Sequence, residues 1–149
     1  MMMVGTQLKP SAIHGLGVFL LEPVRAGALI WRFDTRVDRI YTDDEINALP
    51  EHVQRYLRTY CTWHQGLGLY VLCGDNGRYF NHSDAPTTTS NAVSFGDDHA
   101  ARDLAIGEEL TSDYRTICDR VRLNGLDFLD STGVTLKPRP SPASASASR

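Results

Sequence analysis

Gly107-Glu108-Glu109-Leu110-Thr111-Ser112-Asp113-Tyr114, together with Arg78-Tyr79-Phe80-Asn81-His82-Ser83 upstream of it, decides how this chain folds. The first stretch is a glycine turn, a short strand over Glu109–Thr111 and then a tyrosine. The second is an aromatic strand end followed by Asn-His-Ser, which gathers several hydrogen-bonding groups at one corner. Taken singly, each has a plain structural explanation. Asn, Ser and Asp are common turn formers, so a polar turn accounts for Asn81–Asp84. A buried tyrosine with a satisfied hydroxyl accounts for Tyr114. His82 has no second His or Cys at ligand spacing beside it and is no metal signal.

Upstream of Arg78, the apolar run Leu67–Cys73 and the cluster Gly74-Asp75-Asn76-Gly77 predict a hairpin leading into Arg78–Asn81. Between the two stretches, Asn91–Phe95 and Ala100–Leu104 flank Gly96-Asp97-Asp98, a second predicted hairpin. Further back, Val18–Leu21 and Ala28–Phe33 are β-rich and separated by Pro23 and Gly27. In Ile13-His14-Gly15-Leu16-Gly17, two glycines one residue apart permit positive φ or a close backbone approach to a ligand. Taken alone they are more often a plain β-turn, and the third glycine and following helix of a dinucleotide fingerprint are missing.

The helical signal is confined to the middle. Thr42 with Glu45 forms a capping box ahead of Ile46 and Leu49. Pro50 restarts a helix in which Val53, Tyr56, Leu57 and Tyr60 share one face and read as core. A second short helix is expected around Tyr114–Arg122, ending near Asn124-Gly125. Nothing alternates strand and helix as a parallel dinucleotide-binding sheet requires. The chain is therefore expected to be mainly β with a short helical insert.

With 149 residues the chain has the length of one domain. The folded part is expected over residues 1–133, followed by a disordered Pro/Ser/Ala-rich tail over 134–149. A net charge of −3 argues against broad phosphate neutralisation, hence against direct nucleic-acid binding. No apolar run approaches membrane-spanning length. Three unpaired-looking cysteines and no secretory signal imply a reduced, intracellular setting, cytoplasmic or, in a eukaryote, nuclear. Cys61 and His64 are two potential ligands without partners, so no metal is expected there.

In order and spacing, the glycine turn at Gly15–Gly17, Tyr79–Ser83 and Gly107–Tyr114 form one pattern. In this the chain resembles the SET-domain family of protein-lysine methyltransferases, from roughly Ser11 to Asp119. The resemblance implies a β-clip-like fold in which the C-terminal strand passes under an earlier loop as a pseudoknot. It implies S-adenosylmethionine as cofactor, contacted by Gly15, Leu16, Gly17, Asn81 and His82, and it puts Tyr114 at the methyl-transfer centre. Ser112 stands at an implied position of the substrate channel; Phe128, with Leu126 and Leu129, is the candidate to replace the channel wall that a Cys-rich tail closes in relatives, and an apolar helix-capping cluster explains those three equally well. The implied substrate is a lysine of a protein or peptide, histone-like or another basic protein; the alternative is a catalytically inactive SET-like interaction module. Oligomeric state is left open.

Two positions depart from the family. Many relatives have Cys where this chain has Asp84, and a Cys-rich tail that jointly holds zinc; no cysteine follows Cys118, so no zinc site is expected. Relatives often carry an aromatic residue where Ser112 stands, which leaves the number of methyl groups transferred undecided.

Overall fold

Gly15, with φ of 48°, makes the turn that lets Thr6–Pro10 (β1) and Leu16–Leu20 (β2) pair antiparallel, Leu8 opposite Val18. The computed structural model describes residues 1–119 in full and the backbone of Val121–Leu123 and Leu126–Leu129. Leu29–Trp31 (β3) and Arg39–Thr42 (β4) follow. Thr42 then caps Asp43–Asn47 (α1): its hydroxyl accepts from Glu45 N, and the Glu45 carboxylate accepts from Thr42 N, the capping box expected from the sequence. Pro50 precedes Glu51–Tyr60 (α2). The apolar face of α2 buries Leu57, while Tyr56 stays 41% exposed, so its aromatics are not all core.

Cys61–His64 (β5) and Leu69–Leu72 (β6) come next, and β6 pairs with both β4 and β5. The hairpin expected at Gly74–Gly77 is absent. Asp75 instead caps a single 3-10 turn over Asn76–Tyr79, its carboxylate accepting from Gly77 N at 3.0 Å. Gly74 is needed for close approach, since a Cβ there would sit 1.8 Å from the Val37 carbonyl oxygen.

Asn81–His82 (β7), Thr88–Ser90 (β8), Asp98–Ala100 (β9) and Glu109–Ser112 (β10) complete the main sheets. The second expected hairpin exists with shifted strands, Thr88 opposite Ala100, and Asn91–Phe95 belongs to its connection. Ser94 in that connection has φ of 58°, a left-handed conformation uncommon for a residue with a side chain. Tyr114–Ile117 (α3) is far shorter than the helix expected there. Val121–Leu123 (β11) and Leu126–Leu129 (β12) pair antiparallel, and Asn-Gly between apolar runs is a hairpin signal as much as a helix stop. Residues 130–149, with the expected tail, lie outside the described residues. Among those described, no helix is long and apolar enough to cross a membrane.

One four-stranded sheet positions the site. Its order is β1-β2-β10-β7, with β10 antiparallel to β2 and parallel to β7. Leu110 on β10 is fully buried with Val18, Leu20 and Ile30, so the late strand sits in the main core. Thr87, from the connection after β7, and Thr88, the first residue of β8, both bond to it. Thr87 N donates to Thr111 Oγ1 at 3.0 Å and Thr111 N donates to Thr87 Oγ1 at 2.7 Å. A mainly β chain with the C-terminal strand threaded against an earlier loop is the architecture expected.

Candidate active site

The parallel β7–β10 pairing brings the two stretches together: Thr111 lies opposite Asn81 and Ser112 opposite His82. Just beyond, Asp113 caps α3 by accepting from Arg115 N at 3.0 Å. This cap turns Tyr114 back across β7. Its backbone N donates to His82 Nδ1 at 3.2 Å, the two rings lie 5.3 Å apart, and its hydroxyl donates to the Phe80 carbonyl at 2.6 Å. With Nδ1 accepting, a neutral His82 carries its proton on Nε2, which lies 3.4 Å from Asp84. Burial pushes the Tyr114 phenol up to about 12, with the nearby Cys118 adding to it, so the group stays protonated at neutral pH.

Asn81 joins the glycine turn to the sheet. Its Nδ2 lies 3.0 Å from His14 O, 3.1 Å from Leu16 O and 2.9 Å from Glu109 Oε1. Glu109 also accepts from Ser11 Oγ at 2.8 Å, so one carboxylate clamps both ends of the turn. Gly17 follows from this clamp, because a Cβ there would sit 2.2 Å from Glu109 Oε1. Glu109 and Ser11 were not singled out by the sequence. Alternation along β10 was the available signal, since it sets Glu109 and Thr111 on the face opposite Leu110.

These groups border a cavity of about 900 Å3 touched by His14, Gly15, Leu16, Phe80, Asn81 and Tyr114. Gly17, His82 and Ser112 are not among its lining residues. Ser112 is 2% exposed, with its hydroxyl 2.9 Å from Thr88 Oγ1. The side chain of Phe128 lies outside the described residues. Asp84 is bonded by Arg115, whose Nη2 donates to it at 2.9 Å and to Asp113 at 2.7 Å. That hydrogen bonding holds Asp113 below the usual carboxylate range. No group of three or more His, Cys, Asp or Glu among the described residues is arranged to hold a metal.

The cavity has the size of a small-molecule site. Its donor set suits a zwitterionic nucleoside such as S-adenosylmethionine. The carbonyls of His14 and Leu16 already accept from Asn81 Nδ2, whereas Asn81 Oδ1 receives no hydrogen bond from any described residue and is an acceptor for a cationic amino group.

Comparison with known proteins agrees with this geometry. The model of the SET domain matches residues 15–115. The chain is 30% identical over 123 residues to a Yarrowia lipolytica protein named histone-lysine N-methyltransferase, H3 lysine-4 specific, covering 70% of this chain and 10% of that protein. It is 32% identical over 122 residues to Arabidopsis thaliana histone-lysine N-methyltransferase ATX2, again 70% and 10%. The chain thus spans about a tenth of the length of the curated relatives it matches. Among solved structures, a Plasmodium falciparum protein assigned to the histone methyltransferases aligns with TM-score 0.53 and 22% identity, over 73% of this chain and 91% of that one. A chain of ctPRC2, solved in an autoinhibited conformation bound to S-adenosylmethionine, aligns with TM-score 0.57 and 22% identity, over 74% and 15%. The matched span encloses the glycine turn, the Asn-His pair and the tyrosine that the fold assembles, and the chain belongs to the SET-domain family.

Proposed function

We propose that this chain is a protein-lysine N-methyltransferase that uses S-adenosylmethionine. The observation that carries the reading is a cavity bordered by Gly15, Leu16, Phe80, Asn81 and Tyr114, the last with its hydroxyl bonded to the Phe80 carbonyl. When bound, S-adenosylmethionine supplies a sulfonium methyl group already activated for in-line attack by an amine. The backbone of Gly15–Gly17 and the side chain of Asn81 would hold it. His82, whose ring is engaged by Tyr114 N, would contribute through its backbone.

Tyr114 and Phe80 both border the cavity, and the Tyr114 hydroxyl donates to the Phe80 carbonyl at 2.6 Å. A neutral phenol there orients an amine without ion-pairing it as a cation, which an ionised tyrosine would do. The acceptor lysine reacts as the free amine, and the partly desolvated cavity lowers its pKa. Ser112 and Phe128 are proposed as walls of the acceptor channel. The substrate is a lysine side chain of a protein or peptide inside the cell, in cytoplasm or nucleus, and histones are one candidate class. We assign this activity to residues 1–133, with 134–149 as a tail outside the catalytic unit.

Incubating the protein with isotope-labelled S-adenosylmethionine and a cell lysate, then locating the label by mass spectrometry, tests the reading. Label on lysine is the expected result. Cofactor binding by calorimetry without transfer to any protein would mark an inactive interaction module instead.

A further inference from the structure

Glu109 on β10 is held beside the site by neutral donors alone. It accepts from the Ser11 hydroxyl, at 2.8 Å on Oε1 and 3.0 Å on Oε2, and from the Asn81 amide at 2.9 Å on Oε1. No Lys or Arg among the described residues pairs with it. The carboxylate occupies room that Gly17 leaves, and a Cβ on Gly17 would also meet Ser11 Cβ at 3.1 Å. Glu109 does not line the cavity, whereas Asn81, His14 and Leu16 do. Its influence on a ligand therefore passes through these neighbours.

Ser11 organises the glycine turn from its far end. Its N donates to the Gly15 carbonyl at 2.9 Å, and its Oγ accepts from Ile13 N at 2.9 Å and from His14 N at 3.4 Å. With both acceptor sites of the hydroxyl taken, its one proton goes to Glu109. Asn81 divides two amide protons among three acceptors, the His14 and Leu16 carbonyls and Glu109. A turned-over amide would set Oδ1 against all three of these oxygens, so the orientation is fixed. Oδ1 is left without a partner among the described residues, and it is not one of the polar atoms sealed from solvent in that condition.

We infer that Glu109 is a positioning residue for the cationic amino group of S-adenosylmethionine, and that its negative charge acts on that group through the Asn81 amide. This rests on the cofactor reading given above. A carboxylate that accepts from Nδ2 draws the electrons of the amide towards Oδ1 and makes that oxygen a stronger acceptor. In a partly buried corner with no cation to cancel it, the charge is also felt directly by a cation at Oδ1. Charge and contacts can be separated at this position. A glutamine has the same shape, and its carbonyl oxygen can take the place of Oε1, to which both Ser11 and Asn81 donate. What it lacks is the charge.

Two ligands test this, S-adenosylhomocysteine and its deaminated analogue, identical except that hydrogen replaces the α-amino group. Each is titrated into the full chain by calorimetry, and the ratio of the two affinities is the readout. A general loosening of the turn weakens both ligands alike and leaves that ratio where it was. The parent protein is expected to prefer the amine by about tenfold or more. Glu109→Gln is expected to cut the preference to about threefold or less. Glu109→Asp, which keeps the charge on a shorter arm, is expected to retain more of the preference than Glu109→Gln does. A preference that survives in Glu109→Gln, or falls equally in both variants, marks a purely structural clamp and overturns the inference, leaving the methyltransferase reading standing. A parent protein that binds neither ligand removes the cofactor reading and the inference with it.

Discussion

Tyr114 is held at two points, by His82 through its backbone N and by the Phe80 carbonyl through its hydroxyl. Tyr114→Phe keeps the ring and the first contact and deletes only the hydroxyl. Methyl transfer is expected to fall by about a hundredfold or more, the usual scale for losing a positioned polar group at a reacting centre. Cofactor affinity by calorimetry should stay within a few fold, and near-normal turnover would remove Tyr114 from the centre. Asp98 gives a second prediction. Burial raises it to about 6 from the 3.8 of an exposed Asp, with Asp97 adding to the rise and Ser90 and His99 opposing it. Between those values the folded chain holds more protons than the unfolded one, so stability declines as pH rises through that window and the penalty is complete above it. A shift of this size corresponds to about 2–3 kcal/mol. Asp98→Asn should therefore be most stabilising, relative to the parent, above about pH 7 and least so near pH 4. Melting curves across that range check it; a gap independent of pH would mean that the carboxyl is not held in a low-dielectric wall. That Asn81 and Tyr114 come together was legible in the sequence because they sit in a distinctive order of residue types. Asp98 and Glu109 were not, since their roles come from neighbours on distant strands.

At the scale of elements, the strand that carries the site is fixed by hydroxyls as much as by apolar packing. Thr88 Oγ1 donates to the Thr111 carbonyl at 3.0 Å, so its one proton is used and the 2.9 Å contact with Ser112 is donated by Ser112. Thr88→Val keeps the shape but strands the Ser112 hydroxyl in a site 2% exposed. The expected loss is about 1–3 kcal/mol of stability, against about 1 kcal/mol or less for Ser112→Ala, which leaves Thr88 bonded to Thr111. The double variant should cost less than the sum, because no donor is then stranded. Urea unfolding of the four proteins measures the coupling, and strict additivity would contradict the donor assignment. Elements were legible where the signal is local: the Thr42–Glu45 capping box and the Pro50 helix start appear as read. Gly74–Gly77 misled because its glycines answer to Val37 and to the Asp75 cap, which adjacent sequence does not display. The strands β1, β4 and β5 were missed for a related reason. Each is short and only partly buried, so its pattern is weak until its partner is known.

In the whole molecule the cavity lies between two hydrophobic clusters. One gathers Val18, Leu20, Ile30, Phe80 and Leu110, and the other Ile46, Leu57, Trp63, Tyr70 and Cys118 with Tyr114 packed on it. Phe80 borders the cavity from the first cluster, and Tyr114 and Cys118 border it from the second. A ligand there touches both halves and links their stabilities. The two tryptophans report the halves separately, Trp31 on β3 beside Ile30 and Trp63 within the second cluster. In Trp63→Phe only Trp31 fluoresces, and in Trp31→Phe only Trp63 does. S-adenosylmethionine at a hundredfold excess over its dissociation constant should stabilise the folded state by about 2.7 kcal/mol. Both single-tryptophan proteins should then show the same upward shift in urea midpoint, since loss of either wall releases the ligand. A shift in one protein only would mean that the halves unfold independently and that the ligand is held by one of them. That outcome would place the cofactor contacts on a single cluster and break the link between the Asn81 end of the site and Tyr114.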